Sequence, residues 1–280
     1  MSDKRRNARI QGSWAGRSSQ KCEKGLTSGY TGKSMFEYKE GESSVGDDPF
    51  QKEETIEIKD PGEHSLVGGT SGSSSVYFQP DFFTPEEADR YFDKLIEQRR
   101  IPWKQTDIKI MGEKYPTPRL VAWYGPFPYS YSGVTLEADQ KWPDDLKEIQ
   151  LKVEQHLNEI QKEKVSFNSV LLNLYRNGKD SVAWHSDDEL SMGVHPVIAS
   201  VSLGETRKFE LKKRPPKYNS KARTKSSVNE NIDYRVHLKN GSLIVMKGVL
   251  QQDWLHRVPK EYHDRGRRIN LTFRTVYEHV

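Results

Sequence analysis

Arg268-Ile269-Asn270-Leu271-Thr272-Phe273-Arg274 is the stretch on which the fold turns. Polar and apolar residues alternate strictly. In extended chain Arg268, Asn270, Thr272 and Arg274 therefore share one face, and Ile269, Leu271 and Phe273 the other. Two arginines on an inner face are costly unless they meet anions, whereas on an outer face they are an ordinary solvated row. Working back from this strand, the same period of two recurs over 168–176, 197–203, 206–212, 233–238 and 242–247, with 268–277 as the last member. Asn240-Gly241 reads as a hairpin turn between two of them. Ahead of the strands lie two helices. Thr84-Pro85-Glu86-Glu87 is a capping box with proline at the first helical position, followed by Ala88, Tyr91, Phe92, Leu95 and Ile96 at helical spacing. A second helix after Pro143 carries the stripe Leu146, Ile149, Val153, Leu157 and Ile160. Helices first and many short strands after them predict a mainly β fold, a sandwich or barrel with helices flanking it.

Residues 1–75 are expected to be a disordered N-terminal tail, closing in the linker-like Val67–Ser75 (VGGTSGSSS), with order beginning near Val76. The folded part then divides into 76–165, helices and an aromatic lid, and 166–280, the β core. The tail opens on Lys4-Arg5-Arg6 with Arg9, which suits either a nuclear-import signal or an arm touching phosphates. It holds 11 basic and 12 acidic residues, leaving 33 against 28 in the remainder, so the excess of positive charge sits on the folded part. One cysteine, Cys22, excludes an intramolecular disulfide and makes secretion an unsuitable reading. No apolar run is long enough to span a membrane, and a soluble, intracellular chain is expected.

Trp184-His185-Ser186-Asp187-Asp188-Glu189 follows a predicted strand, where residues i and i+2 point the same way. His185 and Asp187 would project together, and His256 is the best third ligand. Two histidines and a carboxylate make a facial triad that leaves coordination positions open on iron(II). An isolated HxD triplet occurs by chance on many surfaces, and most of the eight histidines suit solvent-facing or hydrogen-bonding roles. The neighbours strengthen the reading. A dicarboxylic acid would suit Arg268 and Arg274, one gripping its distal carboxylate and the other orienting the metal-bound end. Asn173 and Tyr175, two apart on the strand before His185, are hydrogen-bond partners for the same acid, as is Asn270.

Ala122-Trp123-Tyr124-Gly125 through Tyr129-Ser130-Tyr131 is dense in aromatics. Taken singly such rings are usually core. As a group they suit a lid that either stacks a base or lines the co-substrate pocket, with Trp103 lining the same pocket. From Leu211 to Asn229 there are seven basic residues and no acidic one, either a solvated loop or a phosphate-holding one. Ile110-Met111-Gly112 is either an apolar wedge that unstacks a duplex or a buried strand end.

Together, Asn173-Leu174-Tyr175, His185-Ser186-Asp187, His256 and Arg268-x-Asn270-x-Thr272-x-Arg274 resemble the AlkB family of oxidative demethylases over roughly residues 76–280. The resemblance extends to Pro118-Arg119-Leu120, Ala122–Gly125, Trp184–Glu189 and His256–His263, which look most like the third mammalian-type member. It implies a double-stranded β-helix (jelly-roll) core and a monomer of nucleus and cytoplasm. It implies iron(II) on His185, Asp187 and His256, with 2-oxoglutarate and dioxygen as co-substrates. Asn173, Tyr175, Arg268, Asn270 and Arg274 would bind the co-substrate, with Tyr129, Tyr131 and Trp103 beside it. The substrates implied are 1-methyladenine and 3-methylcytosine in single-stranded DNA or RNA, their methyl groups shed as formaldehyde while 2-oxoglutarate yields succinate. Such bases are cationic, so Asp188, as the functional acid, and Glu189 would contact them together with Arg119, Trp123 and Tyr124. Glu189 also suits a solvated acidic loop. Competing readings are a dioxygenase of the same fold acting on another methylated base, a lipid or a protein, a non-catalytic nucleic-acid-binding module, and a structural zinc site. An intact triad and both arginines speak against the module, and zinc would want four ligands and cysteine.

Overall fold

The computed structural model describes residues 54–97, 100–110, 113–131, 133–160, 164–215 and 232–278. In chain order, β1 (Glu54–Ile58), β2 (Gly62–Leu66) and β3 (Ser74–Gln79) precede α1 (Pro85–Ile96). Then come β4 (Asp107–Ile110), β5 (Glu113–Pro116), β6 (Leu120–Tyr124), β7 (Tyr129–Tyr131) and β8 (Val134–Leu136), followed by α2 (Asp144–Ile160). The remainder is β9 (Ser169–Tyr175), β10 (Val182–His185), β11 (Ile198–Gly204), β12 (Arg207–Lys213), β13 (Ile232–Leu238) and β14 (Ser242–Gly248). A single turn of helix, α3 (Leu250–Asp253), leads into β15 (Trp254–Val258), and β16 (Arg268–Arg274) ends the set.

Two sheets face each other. The larger has the order β2-β3-β14-β11-β16-β9-β6 and the smaller β1-β13-β12-β15-β10. From β9 onward the chain passes repeatedly between them, so four strands of each sheet form a jelly roll, the double-stranded β-helix. Alternation sorts the larger sheet's side chains. Val170, Leu172, Leu174, Ile269, Leu271 and Phe273 meet Leu146, Ile149, Val153 and Leu157 of α2 and Tyr91 and Leu95 of α1. The opposite face of β9 and β16, with Asn173, Asn270, Thr272 and the two arginines, turns toward the smaller sheet, and all of these polar side chains are buried. The helix-start reading holds: Thr84 accepts from the Glu87 backbone while the Glu87 carboxylate accepts from Thr84 N. Ile160, expected in the α2 stripe, is exposed at the end of that helix.

Two expectations need correction. Strands are present ahead of Val76, from Glu54 on: β1 adds in parallel to β13 and β2 pairs antiparallel with β3. The linker-like run after β2 is tied down, with Thr70 N, Ser71 N and Ser71 Oγ all donating to the Asp253 carboxylate at 2.6–2.8 Å. Asn240-Gly241 is a turn but not a hairpin. β13 pairs with β1 and β12, and β14 with β11 and β3, so the turn carries the chain from one sheet to the other. Its glycine is required: φ is +79°, and a Cβ there would lie 2.7 Å from the Phe83 carbonyl. The basic run at Lys4–Arg9, Cys22, Met111-Gly112, and Lys217, Lys221, Arg223 and Lys225 of the basic loop lie outside the described residues. Among the described residues no helix is long and apolar enough to cross a membrane.

Candidate active site

β10 is the edge strand of the smaller sheet, and its pairing with β15 sets His185 directly opposite His256. Opposed residues share a face, and the two rings lie 4.2 Å apart at 58°. Asp187 lies beyond the end of β10, where its backbone N–H donates to Gln251 Oε1 at 2.9 Å. Ligand atoms of His185, Asp187 and His256 all fall within 4.8 Å of one another, with His185 Nε2 3.9 Å from Asp187 Oδ1. His185 Nδ1 donates to the Ala183 carbonyl at 2.8 Å, which leaves the Nε2 lone pair facing Asp187.

The electrostatics suit a cation. Burial holds His185 below the ordinary histidine range and, with His185 as neighbour, pushes His256 down to about 3, so both imidazoles are neutral donors at pH 7. Burial would raise Asp187, but the charge of Arg274, with Arg119 behind it, outweighs it and holds the carboxylate ionised. His256 Nδ1 is buried without a hydrogen-bond partner. Two neutral imidazoles and one carboxylate are the donor set of a facial triad.

Beside the triad runs the inner face of β16. Arg274 is fully buried, with Nη1 donating to Tyr129 Oη at 3.0 Å and Nη2 3.5 Å from Asp187 Oδ2. Burial alone would lower it, yet the Asp187 charge raises it above the ordinary arginine value. Arg268 has no such acid. One nitrogen donates to Ser202 Oγ at 2.8 Å, while Nε and Nη1 are buried with no acceptor, and burial pushes the group down to about 10. A guanidinium with two unused donors in a dry site lacks an anion, and a carboxylate gripped in parallel fits it. Register places Tyr175 opposite Arg268, with the guanidinium 5.1 Å from the ring centroid, and Asn173 opposite Asn270. Asn270 donates to Ser200 Oγ at 2.6 Å. Ser200 and Ser202 carried no signal apart from this pairing, because small polar residues in a strand are common.

The aromatic calls divide. Trp123 and Tyr129 stack at 4.6 Å, and Tyr131 stacks on Tyr129 at 5.4 Å; of these rings Tyr129 lies under the Arg274 guanidinium, 5.1 Å from it. Trp123 is only 4% exposed, and its indole N–H donates to the Phe127 carbonyl, so it backs Tyr129 and presents no ring to a base. Tyr124, its neighbour on β6, points to the opposite face and packs on the helix side near Trp142. Trp103 also packs on the helix side, with its N–H donating to Leu95 O, outside the pocket predicted for it. Arg119 donates to Asn173 Oδ1 at 2.8 Å, so it braces that side chain of β9.

The two acids after Asp187 are placed the opposite way round from the expectation. Asp188 is exposed and paired with Arg214 at 3.1 Å. Glu189 turns inward: Oε1 accepts from Tyr129 Oη at 2.9 Å, and Oε2 is buried with no partner. Burial, then the Asp187 charge, raises its carboxyl to about 7.

Residues 75–274 match the family described as the 2OG-Fe(II) oxygenase superfamily. The alpha-ketoglutarate-dependent dioxygenase alkB homolog 3 of Bos taurus is 38% identical over 299 residues, covering 99% of this chain and 97% of that protein. The Homo sapiens protein of the same name is 38% identical with the same coverage. The DNA oxidative demethylase ALKBH2 of Arabidopsis thaliana is 39% identical over 222 residues, 73% of this chain and 67% of that one. With a His-Asp-His site where that family requires its metal, the chain belongs to the 2OG-Fe(II) oxygenase superfamily, in its AlkB branch, and is an iron(II)- and 2-oxoglutarate-dependent dioxygenase.

Proposed function

We propose that this dioxygenase removes N-methyl groups from 1-methyladenine and 3-methylcytosine in single-stranded DNA and RNA, releasing formaldehyde and succinate. The relative named above as a DNA oxidative demethylase supports the reaction class. The observation that carries the substrate is Glu189. A carboxylate oxygen buried beside the triad without a donor suits a base that is both cationic and rich in N–H groups. Methylation at the pairing edge creates that cation and also weakens pairing, so such a base leaves its stack at lower cost.

Iron(II) held by His185, Asp187 and His256 would, with 2-oxoglutarate and dioxygen, supply the oxidising chemistry. The protein's part is positioning. Arg268 with Tyr175 would fix the distal carboxylate of 2-oxoglutarate, and Asn173 and Asn270 would line its length. Arg274 keeps Asp187 ionised and orients Tyr129, which in turn holds Glu189 toward the base. Lys212 and Lys213, the first two cations of the basic run, lie on β12 beside β15 and suit the phosphates of a flexible strand.

The test is turnover with iron(II), 2-oxoglutarate, oxygen and a single-stranded oligonucleotide carrying 3-methylcytosine. Loss of the methyl mass with equal formaldehyde and succinate is expected. Succinate without demethylation would keep the dioxygenase and discard the substrate.

A further inference from the structure

Asp187 sits in a segment that the sheet does not hold. It follows the edge strand β10, and its backbone N–H is bonded to a side chain, Gln251 Oε1. Its two neighbours in sequence are gripped by one nitrogen. Arg214 Nη2 donates to Ser186 Oγ on one side of Asp187 and to Asp188 Oδ2 at 3.1 Å on the other. The same nitrogen reaches the Gln251 carbonyl at 2.9 Å, so two hydrogens are shared among three acceptors. Arg214 is itself anchored, since its backbone N–H donates to Asp253 O at 2.7 Å. Gln251 is 3% exposed and fixed from behind by a contact of its amide with Met246 Sδ at 3.5 Å.

We infer that Arg214 and Gln251 are positioning residues that hold Asp187 in place for metal binding. The inference rests on reading His185, Asp187 and His256 as the ligand set. Neither residue touches the triad's ligand atoms; each acts on the backbone or on the flanking side chains. Arg214 also opens the basic loop, where a cation so placed suits phosphate contact, and that role makes a different prediction. An outer partner that orients a ligand changes metal affinity, typically about 10–100-fold. A phosphate contact changes the affinity for the oligonucleotide and leaves the metal alone.

The experiment is a Co(II) titration of metal-free protein, followed by visible absorption, on wild type, Asp187→Ala, Arg214→Ala, Arg214→Lys and Gln251→Leu, with thermal unfolding as a check that each is folded. Arg214→Ala and Gln251→Leu should each weaken Co(II) binding by about 10–100-fold and alter the absorption bands. Arg214→Lys, which retains a donor, should fall between Arg214→Ala and wild type. A variant combining Arg214→Ala with Gln251→Leu should lose less than the product of the single losses, because both act on one segment. Should Arg214→Ala fail to fold, Gln251→Leu and Arg214→Lys carry the same test. Wild-type Co(II) affinity and bands in Arg214→Ala and Gln251→Leu would overturn the inference, and a raised KM for the oligonucleotide would then reassign Arg214 to phosphate contact. Wild-type affinity in Asp187→Ala would instead remove the ligand set itself.

Discussion

Replacing Arg268 by methionine should make the metal-free protein more stable while destroying its grip on 2-oxoglutarate. The guanidinium is completely buried, has Ser202 as its one hydrogen-bond acceptor, and leaves two donors unused. Burial, opposed by Tyr175, pushes it down to about 10 from the ordinary 12.5. That gap corresponds to about 3 kcal/mol of stability lost to keeping the charge inside. The sign follows from the direction: the folded state binds the proton less tightly than the unfolded chain. The cost is therefore present at every pH below about 10 and is relieved only as pH rises from there toward 12.5. Methionine removes the charge and keeps most of the stem's volume, so a rise in Tm of up to about 6–12 °C is expected, since 1 kcal/mol is worth about 2–4 °C at this size. For the co-substrate, losing one partner of a buried charged pair costs about 2–5 kcal/mol, or from about 30-fold to several thousand-fold in affinity. Calorimetric unfolding with Mn(II) and increasing 2-oxoglutarate reads both effects. Wild type should gain stability with each increment and the variant should not. A variant less stable than wild type without ligand, yet stabilised equally by 2-oxoglutarate, would refute the assignment of Arg268 as the carboxylate clamp.

Other changes separate the neighbouring roles. Asp187→Ala and His256→Ala should each abolish turnover and Co(II) binding while circular dichroism shows the fold retained; a fully active variant of either would remove that residue from the metal site. Glu189→Gln should lower kcat/KM for 3-methylcytosine by about 10–100-fold, the range for losing a buried charged partner, whereas Asp188→Asn, exposed and ion-paired, should stay within about threefold. The reverse ranking in a steady-state assay would return the substrate role to Asp188. Asp253→Asn weakens the anchor for Thr70 and Ser71 and should cost about 2 kcal/mol, read as a fall in Tm of about 4–8 °C. An unchanged Tm would mean that residues 67–73 do not staple the N-terminal strands.

The parts legible in the sequence are those where one physical constraint acts alone. The capping box at Thr84 is local chemistry, and the start of α1 follows from it. On β16 the alternation separates helix-facing Ile269, Leu271 and Phe273 from inward-facing Arg268, Asn270, Thr272 and Arg274, so this strand's contribution to the site could be read from a single heptapeptide. β1 and β2 were hidden for the opposite reason. All but the last residue of β1 is exposed, and such edge strands are held by backbone pairing that leaves no apolar pattern. The turn at Asn240-Gly241 was recognisable as a turn, but its residues do not say whether the next strand returns to the same sheet.

The misplaced aromatics and acids share a cause. A sheet covered on both faces makes apolar residues acceptable at every position, so β6 reads Leu-Val-Ala-Trp-Tyr with no polar residue to mark which side faces the iron site. Trp123 and Tyr124 then look equivalent, although adjacent strand residues must point apart, and Trp123 lies inward while Tyr124 lies among the helices. Fixing the parity of β6 needs its register with β9: Val121 stands opposite the inward Asn173 and Trp123 opposite the inward Leu171. The acids obey the same logic without a sheet to enforce it. After Asp187 the strand period no longer applies, and what turns Asp188 out and Glu189 in is a pair of distant partners, Arg214 and Tyr129. Each lies more than twenty residues from the acid it holds. The chemistry of a metal triad can therefore be read from residue types and order, whereas the orientation of the groups that meet the substrate depends on contacts that only the folded chain brings together.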